Sequence, residues 1–210
     1  MKVRINITTL IRRLKKLYPK AKYYLDFSNT LELMVAVILS AQVRDETVNV
    51  TTPALFKKYK RTQDYAKASA KNIESIVSRI PFYRNKTKAI QGACKILANT
   101  FKGQVPDNMD DLISLPGIGR KSANAILTNG FNQVRGIIVD THVIRLSQRL
   151  GLTKNKDPEK IEKDLMEVIP KAFWKQITWY LKDHGKAFCK APKPLCDSCP
   201  LKTPCPKIGV

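Results

Sequence analysis

Two ionisable residues, Lys121 and Asp140, each lie where a helix is predicted to begin. At Lys121, the positive end of the helix and the neighbouring guanidinium of Arg120 both disfavour the ammonium form. A neutral lysine amine is a nucleophile. The start of the other helix favours an ionised Asp140, which could accept a proton or stabilise developing positive charge. The alternative is that Lys121 only contacts phosphate and Asp140 only caps its helix.

A tight apolar turn, Leu115-Pro116-Gly117-Ile118-Gly119, directly precedes Arg120 and Lys121. Two glycines around Ile118 let the backbone turn sharply between two helices. The N–H groups at the start of the second helix would then point outward and form an anion site. No side chain of the turn reads bases, so binding to DNA phosphates should be independent of base sequence. Such a turn alone predicts DNA binding and not catalysis.

The charge of the chain also points to a polyanionic partner. Its 210 residues include 38 Lys and Arg against 17 Asp and Glu, a formal net charge of 38 − 17 = +21. Nucleic acid is the favoured partner of so basic a protein. A ribosomal or chromatin role, or a surface selected for solubility, is the alternative. The apolar fraction of 43% is typical of a packed globular protein and excludes a disordered one.

Four of the five cysteines, Cys189, Cys196, Cys199 and Cys205, follow one another near the end of the sequence with the spacing C-x6-C-x2-C-x5-C. The N-terminus lacks the features of a signal peptide, and the most apolar run is too short to span a bilayer. We therefore expect a soluble, intracellular protein, in which disulfides are disfavoured. Four thiolates suit either tetrahedral zinc or a cubane iron–sulfur cluster, and ligand chemistry alone does not separate the two. Cys94 falls in a predicted helix and is interpreted as a small core residue.

The elements that must position these residues are predicted to be helices, so the expected fold class is all-α. Val134–Val139 is β-like in composition but short and isolated. Cap residues, apolar periodicity and prolines define the helices. They comprise an N-terminal helix through Leu17, a buried helix capped by Asn29, a helix capped by Asp45 that Pro53 should kink or divide, 72–80, 85–101, 107–115, 120–129 with Gly130 as a left-handed cap, 142–150 capped by Asp140 and closed by Gly151, a helix opened by Asp157-Pro158, and 173–188.

These motifs together resemble the endonuclease III family of helix-hairpin-helix DNA glycosylases. L-P-G-I-G-R-K is followed about twenty residues later by V-D-T-H, and all three cysteine gaps match the C-terminal loop of the family. Leu39-Ser40-Ala41-Gln42 matches a third motif, and the resemblance runs from about residue 10 to residue 206. It implies a [4Fe-4S] cluster with a structural role, held by the four clustered cysteines. It also implies two helical domains around a DNA-binding cleft: 21–131 with six helices and the hairpin, and 1–20 together with 132–210.

The resemblance further implies a reaction and a set of contacts. Lys121 would attack the sugar C1′ of an oxidised pyrimidine nucleotide, displace the base and form a Schiff base, and β-elimination would then cut the strand. Asp140 would be its charged partner. The target nucleotide must be flipped out of the duplex. Gln42 would fill the gap, with Phe82 as a second wedge unless it is core packing. The expected DNA contacts are Gln42, Phe82, Gly117, Ile118, Gly119, Arg120, His142, Lys190 and Lys193, and His184 is expected to pack near the cluster.

Further expectations and two rival functions accompany this interpretation. The partner would be double-stranded DNA with damaged bases or abasic sites, bound by a monomer that is cytoplasmic, nucleoid-associated and not attached to a membrane. One rival is a monofunctional mismatch glycosylase of the same superfamily. The resemblance argues against it, because such glycosylases have a tyrosine or serine where this chain has Lys121. The other is a non-catalytic iron–sulfur DNA-binding protein, which only Lys121 and Asp140 speak against.

Overall fold

The computed structural model of the protein describes residues 5–210, so the first four residues of the predicted segment 1–20 lie outside it. Within this range the chain forms α-helices and one short 3₁₀ helix, and no strand. The all-α prediction is confirmed. The helices are α1 Ile7–Leu17, α2 Thr30–Ser40, α3 Asp45–Lys58, α4 Thr62–Lys67, α5 Ala70–Val77, α6 Tyr83–Thr100, α7 Met109–Ser114, α8 Arg120–Gly130, α9 Thr141–Arg149, α10 Pro158–Val168 and α11 Trp174–Ala187, with the 3₁₀ turn at Lys171–Phe173.

The described residues divide into two compact units. One combines residues 5–23 with Val134–Val210, and the other is Tyr24–Gln133. The first contains α1, α9, α10 and α11, and the second contains α2 to α8.

In the Tyr24–Gln133 unit, α2 is the central helix and packs against α3, α6 and α8. Asn29 caps it by accepting a hydrogen bond from the Glu32 N–H, as predicted, and all residues from Leu33 to Leu39 are buried. Burying each large aliphatic side chain of that run contributes roughly 1.5–3 kcal/mol. This helix is therefore the support on which the neighbouring turns are built.

In the other unit, α11 packs against α1 and α9 around an aliphatic core that includes Leu10, Leu146 and Leu181. Asp157 caps α10 with Pro158 in its first turn, as predicted. The β-like segment Val134–Val139 is not a strand. Its Ile137 and Val139 belong to the buried core, which accounts for the β-branched composition.

Two local predictions are wrong, and a third is narrowed. Asp45 does not cap α3, because Arg44 holds the cap position and Asp45 lies in the first turn, where the helix dipole favours a carboxylate. Of the two effects predicted for Pro53, a kink or a division of that helix, division is excluded, because α3 runs without a break from Asp45 to Lys58. Gly130 is not a left-handed cap but the last residue of α8. A Cβ there would lie 3.0 Å from Leu33 Cδ2, so glycine allows α8 to approach α2 closely.

None of the helices in the described part of the chain has the length and apolar character of a membrane span.

Candidate functional site

Lys121 lies in the first turn of α8, with its side chain exposed to solvent. The helix begins after Gly119, and no side chain caps it. The opposite face of α8 is buried through Ala123, Ile126 and Leu127 and packs on α2. Burial of that face holds the first turn in place and keeps the amine at the surface, next to N–H groups at the positive end of the helix.

The two glycines of the hairpin differ in whether conformation and packing require them. Gly117 has φ +81°, and a Cβ there would lie 2.9 Å from Ala89 Cβ, so only glycine fits. Gly119 has φ −99°, and a Cβ there would meet nothing within 4 Å. Ile118 is buried and its N–H donates to the Leu115 carbonyl oxygen, so it anchors the turn. Glycine at 119 is therefore not required by packing, and it leaves the start of α8 uncovered.

Asp140 caps α9 with one of its two carboxylate oxygens. Oδ1 accepts hydrogen bonds from the N–H groups of His142 and Val143, both at 2.9 Å, which confirms the predicted cap. Oδ2 takes no part in the cap. The segment leading to Asp140 is held against α11, because Thr178 Oγ1 on that helix donates to the Ile138 carbonyl oxygen at 2.9 Å. Asp140 thus belongs to the unit of α9 and α11, whereas Lys121 belongs to the Tyr24–Gln133 unit.

His142 is half-buried beside Asp140, and its Nδ1 lies 3.1 Å from Arg145 Nη2. Burial lowers the pKa of the imidazole. The carboxylate of Asp140 opposes the shift, and nearby cations, Arg145 first among them, add to it. A neutral ring therefore faces the guanidinium. A Cβ at Gly185 would lie 2.6 Å from His142 Nδ1, so the close approach of α11 to this ring requires glycine.

The two predicted wedge residues are displayed by the same kind of turn. In the turn from Ser40 to Val43, the Val43 N–H donates to the Ser40 carbonyl oxygen and Gln42 has φ 58°. In the turn from Ile80 to Tyr83, the Tyr83 N–H donates to the Ile80 carbonyl oxygen and the third residue, Phe82, also has φ 58°.

Both wedge side chains are exposed. Gln42 lies at the surface, and Phe82 is 65% exposed. The alternative interpretation of Phe82 as core packing is therefore wrong. A positive φ at the third position of such a turn is normally left to glycine or asparagine, so both residues occupy a costly conformation.

The four clustered cysteines line one cavity whose other walls include Leu146, Leu150 and Phe188. Burial raises the pKa of the Cys199 and Cys205 thiols, and the neighbouring thiols raise it further. No three His, Cys, Asp or Glu side chains within residues 5–210 converge closely enough to hold one metal ion.

Nitrogen donors lie beside two of the four sulfur atoms, those of Cys189 and Cys199. The Leu201 N–H donates to Cys199 Sγ at 3.4 Å, and Arg149 Nη1 donates to Cys189 Sγ at 3.5 Å. His184, predicted to pack near the cluster, has its Nε2 3.4 Å from Cys199 Sγ. Cys94 is buried as predicted. Thiolates in this cavity would repel one another unless a cationic centre bound them, and N–H···S contacts are the usual environment of ligating sulfur.

Two arginines that were not predicted fix the loop after Cys189. Arg149 donates to the carbonyl oxygens of Lys190 (2.8 Å) and Pro192 (3.3 Å), and Arg145 Nε donates to the Cys189 carbonyl oxygen at 3.0 Å. Lys190 and Lys193, the two residues of this loop predicted to reach phosphates, are exposed. Both arginines follow the V-D-T-H motif at helical spacing on α9, and that spacing is the signal that could have identified them.

Comparison with known proteins defines the family. The model of the HhH-GPD superfamily of base excision DNA repair proteins matches residues 35–171. Endonuclease III of Synechocystis sp. is 48% identical over 199 residues, 95% of this chain and 91% of the relative. Endonuclease III of Bacillus subtilis is 43% identical over 190 residues, 90% and 86% of the two chains. A solved trapped endonuclease III–DNA covalent intermediate is 38% identical with a TM-score of 0.92 and covers 99% of this chain and 97% of that one.

The fold, the hairpin and these matches define a base excision DNA repair protein of the helix-hairpin-helix class. The chain belongs to the endonuclease III family. The predicted activity, a DNA glycosylase and AP lyase of base excision repair, is confirmed.

Proposed function

We propose that this protein removes oxidised pyrimidines from double-stranded DNA and cuts the strand through Lys121 and Asp140. The observation that carries the proposal is the lysine in the uncapped first turn of α8, beside a glycine that packing does not require. A buried or capped lysine would be a structural residue. An exposed amine at an open helix start is available both to a phosphate backbone and to a sugar carbon.

Lys121 acts as the nucleophile. Its neutral amine forms a bond to the sugar C1′, and the bond from C1′ to the base breaks with the electron pair leaving on the base. The amine loses its proton, the sugar ring opens, and a Schiff base links Lys121 to C1′. The protonated imine acidifies the neighbouring C2′ proton, and its loss expels the 3′ phosphate by β-elimination. Base removal and strand cleavage thus use one residue.

Asp140 supplies the negative charge of the reaction. Its cap uses only Oδ1, so the carboxylate can cap α9 and still take part in chemistry through Oδ2. It accepts a proton from Lys121 or stabilises positive charge on the sugar. We propose that His142, neutral and fixed by Arg145, lines the pocket that receives the flipped base.

Gln42 and Phe82 occupy the space that the flipped nucleotide leaves. Both are exposed and both are displayed at positive φ. The backbone of Gly117, Ile118, Gly119 and Arg120 holds the phosphates of one strand, and Lys190 and Lys193 contact the backbone near the cysteine loop. These contacts involve phosphates rather than base edges, so they fix the duplex without selecting its sequence.

The cavity of Cys189, Cys196, Cys199 and Cys205 holds a [4Fe-4S] cluster in this proposal. Four thiols around one cavity, with N–H···S donors, fit such a group. When bound, the cluster supplies structural cross-linking of the C-terminal loop and no step of the reaction. We propose further that the protein acts as a monomer on the DNA of the nucleoid.

Borohydride trapping on duplex DNA containing thymine glycol tests the nucleophile. The native protein and Lys95→Ala, which changes an exposed lysine of α6, should both give a covalent adduct, and Lys121→Ala should give none. An adduct that persists in Lys121→Ala, or that fails to form with the native protein, would contradict the mechanism. Base release without strand cleavage would favour a monofunctional mismatch glycosylase, and binding without either would favour a non-catalytic protein.

The role of Asp140 has a matched pair of variants. Asparagine caps helices as well as aspartate does, whereas alanine loses the cap at a cost of about 1 kcal/mol. Asp140→Asn should therefore keep the stability of the fold and lose base excision. If Asp140→Asn excises at the native rate, Asp140 is only a cap. A broad visible absorbance of the purified protein would indicate the iron–sulfur cluster. Zinc found by metal analysis would instead indicate the alternative that the cysteine spacing leaves open.

A further inference from the structure

One buried cation takes no part in the reaction described above. Lys86, on α6, is 7% exposed, and its Nζ donates to the carbonyl oxygens of Leu39 at 2.9 Å and of Ala41 at 2.7 Å. These oxygens belong to the last turn and the cap of α2, the negative end of the helix, where an ammonium group is favoured. A lysine is rarely buried without a specific partner.

The Ala41 carbonyl group belongs to the turn that displays Gln42, and the Leu39 carbonyl group lies directly before that turn. Ala41 is the second residue of that turn, with φ −58° and ψ 117°, and Gln42 follows at φ 58°. Leu39 directly precedes Ser40, the first residue of the turn. Lys86 therefore binds the backbone on both sides of Ser40 and next to the left-handed residue, so it limits rotation of the peptide that sets the direction of Gln42.

The same residue contacts the second turn through its backbone. The Lys86 N–H donates to the Phe82 carbonyl oxygen at 3.1 Å, the first hydrogen bond of α6. Phe82 is the cap residue of that helix and provides no side-chain cap. Lys86 thus contacts both turns that present the exposed side chains. Its ammonium group donates to the Ala41 carbonyl oxygen of one turn, and its N–H donates to the Phe82 carbonyl oxygen of the other.

We propose that Lys86 is a positioning residue that fixes the Gln42 and Phe82 turns relative to each other, so that both side chains enter the duplex together. This inference rests on the proposed function, in which these side chains replace a flipped nucleotide. A cation with several donors suits the task, because one ammonium group can donate both to the buried carbonyl oxygen of Leu39 and to the partly buried one of Ala41.

The test compares two substrates in single-turnover reactions: a duplex with thymine glycol, which must be flipped, and a duplex with a preformed abasic site, which has no damaged base to unstack. Lys86→Met should slow base excision roughly tenfold to a hundredfold, the effect of a small misplacement. Strand cleavage at the abasic site should stay within about threefold of native, because Lys121 is unchanged. Lys95→Met, an exposed lysine of the same helix, should match native on both substrates.

Two further variants complete the design. Lys86→Gln keeps two N–H donors without the charge and should recover part of the excision rate. If circular dichroism shows that the Lys86→Met protein has lost helix, Lys86→Gln takes its place in the comparison. In a Gln42→Gly background, Lys86→Met should lower the excision rate by a smaller factor than it does in the native protein, because the side chain that Lys86 positions is absent.

Equal loss on both substrates, full additivity with Gln42→Gly, or a native excision rate in Lys86→Met would each overturn the inference. The proposed function is judged separately, by the native protein on the same substrates. If the native protein excises the base and cuts the strand, the proposed activity stands whatever Lys86 does.

Discussion

Two regions of the Tyr24–Gln133 unit use the left-handed backbone conformation in opposite ways. The hairpin before α8 has glycine at φ +81°, where a Cβ would lie 2.9 Å from Ala89 Cβ. The turns at Gln42 and Phe82 reach φ 58° with large side chains that point into solvent. In the hairpin the backbone makes the proposed contacts, and a side chain would obstruct packing. In the two turns the side chain makes the proposed contacts, and the backbone adopts a costly conformation to present it.

The energetic difference supports that distinction. A non-glycine residue in the left-handed region costs on the order of 1–2 kcal/mol. Phe82 also occupies the cap position of α6, where a polar side chain would satisfy the free N–H groups. An exposed phenylalanine gains little from burial that could offset these costs. Phe82 is therefore locally unfavourable both for its backbone conformation and as a helix cap. Residues that break local rules in this way are typical of functional positions.

The largest effect should come from Gly117→Ala. The added methyl group requires both a left-handed alanine and a shift of Ala89 on α6, so we expect a loss of roughly 2–4 kcal/mol in the stability of this unit. Hydrogen exchange of peptides from α2 and α8 measures it. Peptides from α1, in the other unit, provide the internal reference. Unchanged protection of α8 would show that the hairpin tolerates a side chain at 117.

The next effect concerns the displayed side chains. Gln42→Gly and Phe82→Gly relieve the left-handed cost, so each should leave stability unchanged or raise it by up to about 1 kcal/mol. Each should lower base excision roughly tenfold to a hundredfold, because the duplex loses the group that replaces the flipped nucleotide. Thermal unfolding and single-turnover excision measure the two quantities. A stabilised variant with native excision would remove that residue from the proposed wedge.

Sequence reasoning predicted the residues that cap helices and those in spaced motifs. Asn29, Asp140 and Asp157 are local signals, since a polar side chain before an apolar period fixes a helix start almost regardless of what packs against it. The predicted bounds of 72–80 and 85–101 shift by up to three residues to α5 and α6, because helix ends depend on tertiary contacts.

The remaining features depend on neighbours that are distant in sequence. Gly130 was interpreted as a cap because a glycine that ends a helical pattern is usually one, whereas packing against Leu33 decides its role. Lys86 gave no signal, because an isolated lysine within a helix is normally exposed and only the carbonyl oxygens of α2, more than forty residues earlier, explain its burial. The short helix α4 was missed because its cap position holds an arginine. The exposure of Phe82 could have been suggested by Pro81, which favours the second position of a turn whose third residue has positive φ.

A smaller effect should follow Gly119→Ala, the counterpart of Gly117→Ala in the same hairpin. Its φ of −99° suits alanine and a Cβ meets nothing within 4 Å, so stability should rise slightly, by about 0.5 kcal/mol. The methyl group lies where a phosphate is proposed to approach the N–H groups of α8. Loss of one such hydrogen bond should weaken DNA binding about tenfold. The salt dependence of binding should keep its slope, because no charge is lost. Native affinity would mean that the DNA backbone does not approach position 119.

The smallest effect on excision is expected from Lys102→Gly, which tests whether a positive φ is a sign of function when the residue makes no proposed DNA contact. Lys102, directly after the C-terminal cap of α6, has φ 52° and an exposed side chain, yet it belongs to none of the proposed contacts. Lys102→Gly should raise stability by up to about 1 kcal/mol, as in the wedge variants, and should leave base excision at the native rate. Thermal unfolding and single-turnover excision, run beside Gln42→Gly, give the comparison. If Lys102→Gly lowers excision as much as Gln42→Gly does, the loss reflects backbone conformation, and the displayed side chain of Gln42 is not what the duplex requires.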